Sequence, residues 1–179
     1  MPRVSYVPAD LAEPREIVDA VRARRGGKLT HLDRMLLHSP PLAAGWNAFL
    51  GAVRTRLSLP ARLRELAICA VAILNRADYE LFHHAPELLK AGATQAQLDT
   101  LADVEAAAGS TTLFDAAERA ALRLTFEMTR TVSVSDETFA AARAVLGSDQ
   151  AVVELVATIA TYNMVSRFLV ALDVRPEGR

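Results

Sequence analysis

The sequence predicts an all-α protein. Apolar residues recur at three- and four-residue spacings along most of its 179 residues, and no stretch sustains the period-two alternation of a strand. Proline, glycine and capping residues divide these apolar segments at helix-length intervals. The length fits one domain, 1–179, with an extended arm at 1–12 held open by Pro2 and Pro8.

Pro14 suits the first turn of a helix bearing Ile17, Val18 and Val21, which Gly26-Gly27 ends. Thr30 caps a short helix with Leu32, Met35 and Leu36; Pro40-Pro41 stops it and starts the next. In that third helix Leu42, Trp46, Phe49, Leu50, Val53 and Leu57 follow helical spacing, which assigns Trp46 and Phe49 to the core. Pro60 opens a fourth helix. After Glu65 it has little room for a solvated face, so it should be central. A break at Asn75-Arg76 precedes a fifth helix, about Ala77 to Ala91, with Gly92 as its stop. Thr94 and Gln97 form a capping box for a sixth helix bearing Leu98 and Leu101. Residues 109–112, Gly-Ser-Thr-Thr, are the clearest loop. Asp115 with Glu118 caps a seventh helix, and Ser135 starts an eighth that Gly147 ends. Ser148 or Asp149 caps a last helix that is apolar nearly all round, with Glu154, Tyr162, Asn163, Ser166 and Arg167 as polar exceptions.

Composition excludes several function classes. A net charge of −1 with no block of like charge gives no sign of nucleic acid or of a membrane surface as partner. No apolar run reaches the roughly 18 residues of a spanning helix without polar interruption. The N-terminus lacks the apolar segment of a signal peptide, so the expected compartment is cytoplasmic. One cysteine, Cys69, leaves no intrachain disulfide and no cysteine cage for a metal. Apolar residues make up 51% of the chain, more than a soluble monomer readily hides, and this predicts a homo-oligomer through helical faces.

The densest titratable group closes the segment Glu65 to His84: Asp78, Tyr79, Glu80, His83 and His84. Glu80 and His84 are one helical turn apart, and a carboxylate there orients an imidazole and raises its pKa toward useful proton transfer. An ordinary surface ion pair has the same spacing. Glu65 sits just inside a mostly apolar helix and requires a partner or a high pKa, and a helical hairpin would bring it to Glu80 and His84. Arg62 or Arg64 offers a purely structural partner instead. His83 points about 100° away from His84. Usable metal ligands are present, but their spacing matches no established signature, so no metal is assigned. Asn163 and Arg167 are also one turn apart. Arg167 either anchors a substrate carboxylate or makes a structural bond. Cys69, four residues after Glu65, reads as an inert core residue or a lone reactive thiol.

The pattern Glu65-x11-Ala77-x2-Glu80-x3-His84, followed by APELLKAG, resembles the carboxymuconolactone decarboxylase superfamily, which includes the AhpD-like alkylhydroperoxidases. LPARLRELAI resembles that family's lead-in helix, and TIATYNMVSRFLVALDV the tail of a peroxidase-related subgroup. The resemblance is strongest over 58–101 and 151–173. It implies an AhpD-like helical bundle of hairpins that forms oligomers. AhpD-like members carry a cysteine pair where this chain has Ala77 and Glu80, so their dithiol chemistry is excluded at these positions; the positions of the proton-relaying Glu and His are matched by Glu65 and His84. Decarboxylase relatives lack the pair and act on lactone acids without a redox cofactor.

Together these readings predict a cofactor-independent acid–base enzyme, a decarboxylase or isomerase, acting on a small organic acid or lactone. His84 is the general acid or base, Glu80 orients it, and Glu65 relays the proton. Arg167, Asn163, Tyr79 and His83 are the substrate-binding candidates. The alternatives are a peroxidase-related protein using Cys69 as a single thiol, and a non-catalytic oligomer that binds a ligand.

Overall fold

The computed structural model describes residues 1–178 and contains ten helices with no strand among them. The chain divides into two compact units, Met1–Leu57 with Leu169–Arg179, and Ser58–Phe168.

The first unit holds α1 (Arg15–Arg24), α2 (His31–Leu36) and α3 (Pro40–Thr55). Its core is formed by Val18, Val21, Leu32, Met35, Leu36, Trp46, Leu50 and Val53. Thr30 caps α2 as its sequence implies. Its side chain accepts from the Asp33 amide, and Asp33 returns a bond to the Thr30 amide. Asp33 is buried and held by Arg24 and Arg25. The N-terminal arm bends at residues 3–4, turns at 9–10 and is tied down: Arg34 Nε donates to the Val7 carbonyl at 2.6 Å, and Tyr6 stacks on His31 with ring centroids 4.4 Å apart. One expectation fails here. Phe49 is 48% exposed and Leu42 is 45% exposed, so the periodicity of α3 is wider than its buried stripe of Ala43, Trp46, Leu50 and Val53.

The second unit is built on α4 (Ala61–Leu74). It packs against α5 (Asp78–Lys90) and α8 (Ala116–Arg130), and from Glu65 to Leu74 all its residues but Ile73 are buried. Around it lie α6 (Gln95–Thr100), α7 (Val104–Gly109), α9 (Asp136–Leu146) and most of α10 (Asp149–Leu172). The hairpin between α4 and α5 closes in two bonds: Ala77 N donates to Ala72 O at 2.8 Å, and Arg76 N to Ile73 O at 3.1 Å. This is the Schellman pattern, with Arg76 at φ +54° in the left-handed position that glycine usually takes. Gly92 ends α5 by the same pattern at φ +98°. Arg62, at the start of α4, donates to Glu118 at 2.5 Å and Gln97 at 3.2 Å and also bonds the Gly92 carbonyl. One side chain thereby joins α4 to α8, to α6 and to the end of α5. The capping boxes at Thr94 and Asp115 form as their sequences imply.

Helix α7 has no counterpart in the sequence reading. It is six residues, Val-Glu-Ala-Ala-Ala-Gly, too short to display a period. Its one legible signal is Asp103, whose carboxylate accepts from the Ala106 amide at 3.0 Å. Helix α10 is long and apolar enough to cross a membrane, but half of its apolar stretch is buried inside the protein. Its cap is Ser148, whose hydroxyl accepts from the Ala151 amide at 3.1 Å.

Candidate functional site

The turn at Asn75–Ala77 sends α5 back along α4, and this places His84 against Glu65, nineteen residues earlier. Nδ1 of His84 lies 2.6 Å from Oε2 of Glu65. On the other side of the ring, Nε2 lies 3.2 Å from Oε2 of Glu80, one turn back on α5. All three side chains are buried, with 5% or less of each residue exposed. A short Glu–His contact of this kind is charge-assisted, and both ring nitrogens of one imidazole are engaged by carboxylates. Arg64 Nε lies 3.3 Å from Oε1 of Glu65. The edge-to-face contact of Tyr162 from α10 completes the surround, with ring centroids 5.0 Å apart and planes at 86°.

Burial pushes the His84 pKa down, because a desolvated imidazolium is costly. The hydrogen bonds from Glu65 and then Glu80, with their charges, outweigh it, and His84 is held above its ordinary value.

Cys69 lies in the apolar cluster with Leu66, Ala70, Leu88 and Leu122 and is fully buried. Burial, then the charges of Glu65 and Glu80, push its thiol far above the ordinary range. A thiol so placed is a poor source of thiolate.

Asn163 and Arg167 lie in a separate polar cluster. Asn163 accepts from Asn75 Nδ2 at 3.0 Å and donates to Thr129 Oγ1 at 3.0 Å and to the Ile159 carbonyl at 3.1 Å. Arg167, which is exposed, donates through Nη1 to the carbonyl and the side-chain oxygen of Asn163, at 2.9 and 2.8 Å. The two therefore form a polar knot joining α10 to α8 and to the end of α4. Asn75 follows Glu65 by ten residues, or about 15 Å of helix axis. Tyr79 and His83 pack on each other at 4.6 Å, and Phe82 meets the His83 ring edge-on at 5.1 Å; this pair shares a face of α5 distinct from that of Glu80 and His84. Arg62, one of two proposed partners for Glu65, is committed to Glu118, Gln97 and Gly92, so Arg64 fills that role. Tyr162 escaped the sequence reading as a site residue because nothing in the spacing of α10 indicates which of its polar residues meets α5.

A separate cleft of about 540 Å³ lies between α4, α5 and α6, floored by Ile73, Leu81, Ala85 and Leu98 and edged by Arg76, Asp78 and Asp99. The buried Glu–His–Glu group does not line it.

Residues 40–127 match the profile described as the carboxymuconolactone decarboxylase family. No curated protein sequence matches the chain. Solved structures that share the fold include an uncharacterized peroxidase-related protein from Ralstonia eutropha JMP134, 20% identical, with a TM-score of 0.81 over 99% of this chain and 93% of that one. Another, from Silicibacter sp. TM1040, is 15% identical, with a TM-score of 0.80 over 99% of this chain and 92% of that one. A third is a cysteine-to-alanine variant of the debrominase Bmp8 in complex with 2,3,4-tribromopyrrole, 18% identical, with a TM-score of 0.78 over 98% of this chain and 91% of that one. At these identities the likeness is one of fold.

Proposed function

Since the chain belongs to the carboxymuconolactone decarboxylase and AhpD-like superfamily, we propose that it is a cofactor-independent acid–base enzyme, a decarboxylase or isomerase, acting on a small organic acid or lactone. One observation carries the reading: a buried imidazole is held on both nitrogens by carboxylates, at 2.6 and 3.2 Å. Such a group stores a proton away from solvent and passes it along a fixed line, as a general acid–base step requires. The reaction class that uses this alone is proton removal from, or return to, a carbon next to a carbonyl or carboxylate. Decarboxylation of a lactone acid and migration of its double bond both pass through that step.

The peroxidase alternatives have less support. Ala77 and Glu80 occupy the positions of the cysteine pair, and Cys69 is the only thiol. Its burial and raised pKa oppose attack on a peroxide. Arg167 is left with a smaller part as a carboxylate receptor, since Nη1 is spent on Asn163.

The test is turnover and deuterium exchange by NMR in D2O, with a panel of unsaturated lactone acids and no added cofactor. Exchange or CO2 release that falls about 10²–10⁴-fold in His84→Gln is the expected result. Absence of exchange across the panel, or exchange indifferent to His84→Gln, would overturn the reading in favour of a binding protein.

A further inference from the structure

The two carboxylates beside His84 are unequal. Arg64 touches Glu65 at 3.3 Å, and among the described residues no lysine or arginine pairs with Glu80. The distances are unequal too, 2.6 Å at Nδ1 and 3.2 Å at Nε2. We propose that Arg64 is a positioning residue that sets the direction of proton transfer: it keeps Glu65 ionised and a proton on Nδ1 of His84, leaving Nε2 and Glu80 as the end that gains and loses the exchanged proton.

The argument is a count of protons. A neutral imidazole has one N–H and one lone pair. With two protons shared among the three groups, one in each contact, three arrangements avoid an imidazolate. Both carboxylates are ionised around an imidazolium, or Glu80 is protonated and donates to Nε2, or Glu65 is protonated and donates to Nδ1. The third sets a guanidinium, which is always charged, against a neutral acid, so Arg64 disfavours it. The first two differ only in whether the proton sits on Nε2 or on Glu80. Removing one proton must leave a ring lone pair facing a carboxylate. That repulsion is smaller across 3.2 Å at Glu80 than across 2.6 Å at Glu65. The proton therefore leaves from the Nε2 side. Cys69 has its thiol pKa pushed far up and stays neutral, and Tyr162 meets the ring edge-to-face.

That this order directs a step on a substrate rests on the function proposed above; the proton order itself does not.

The experiment reads the two together and separates them. Protein labelled with 15N-histidine, its His84 signals assigned by their loss in His84→Gln, is titrated upward in pH by NMR. In the wild type Nδ1 should keep its proton while Nε2 changes. In Glu80→Gln the neutral ring should carry its proton on Nδ1. Adding Arg64→Met should shift the ring toward a mixture of tautomers, and Arg64→Lys should restore the Nδ1 form. Loss of the Nδ1 proton first, an Nε2–H tautomer in Glu80→Gln, or a pattern indifferent to Arg64→Met would each overturn the proposal. Thermal melts of each variant establish that it is folded. If Glu80→Gln fails to fold, Arg64→Met in the wild-type background decides alone, because it must mobilise the Nδ1 proton. A correct proton order with no turnover on any lactone acid would remove the enzymatic reading and leave the role of Arg64 standing.

Discussion

Two carboxylates make His84 a stronger base than its burial alone would allow, and this has a sign that can be measured. Its folded pKa is above the ordinary 6.5. Its contribution to stability is therefore fully present below about 6.5, the unfolded value, and is lost as pH rises through the folded value. The melting-temperature gap between wild type and His84→Gln should be widest near pH 6 and narrow toward pH 10; a gap that widens with pH would contradict the charge assignment. Glu65 is partnered by both His84 and Arg64, so neutralising it strands two cations. Glu65→Gln should cost about 3 kcal/mol in denaturant unfolding, the scale for breaking a buried pair. A stability unchanged or raised would show that the carboxylate is already protonated in the native state. Cys69, fully buried, should resist a thiol reagent such as dithionitrobenzoate in the native protein and react once it unfolds. At this scale the convergence of Glu65, Glu80 and His84 was legible because two of them share a helix face and the third lies across one visible turn. Tyr162 and the knot of Asn163 with Asn75 and Thr129 were not, since those contacts close over 34 to 88 residues of sequence.

Helix boundaries were legible wherever side-chain chemistry sets them. Thr30, Thr94, Asp115 and Ser135 each accept from the amide three residues on, as their sequence positions imply. Short α7 and the exposed Phe49 were not, because six residues show no period, and because periodicity reports an apolar stripe without reporting its width. The element that delivers the site is the turn between α4 and α5, and its least comfortable residue is Arg76 in the left-handed region. Left-handed backbone costs a non-glycine residue about 1–2 kcal/mol. Glycine forfeits about 0.5–1 kcal/mol of that through its greater freedom in the unfolded chain. Arg76→Gly should therefore raise stability by up to about 1 kcal/mol and leave the 15N signals of His84 in place. Destabilisation would mean that the Arg76 side chain, which edges the cleft on α4, α5 and α6, holds the turn in some other way.

At the scale of the whole molecule, the apolar content that predicted an oligomer now has locations. On α10, Val153 is 65% exposed and Met164 42% exposed, with Ala160 exposed between them. Positions 153, 157, 160 and 164 follow one another at spacings of four, three and four, so a single stripe of the helix carries them. The residues behind the stripe, Leu155, Ile159, Tyr162 and Val165, are buried, so α10 is already anchored and the stripe has no further role in the core of its unit. Small and flexible side chains in such a register allow close approach of a second helix, and the simplest partner with a matching stripe is another copy of α10 about a two-fold axis. We therefore expect self-association through this face. Sedimentation at micromolar concentration should give a mass at least twice 19.4 kDa, and Met164→Glu, which sets like charges against each other across the axis, should shift it toward the single chain. The substitution lies on the exposed side, so the melt of the variant should remain cooperative. A wild-type mass of one chain would remove the oligomer altogether. A multimer unchanged by Met164→Glu would place the contact on another apolar surface, for which exposed Phe82 on α5 is the next position to substitute.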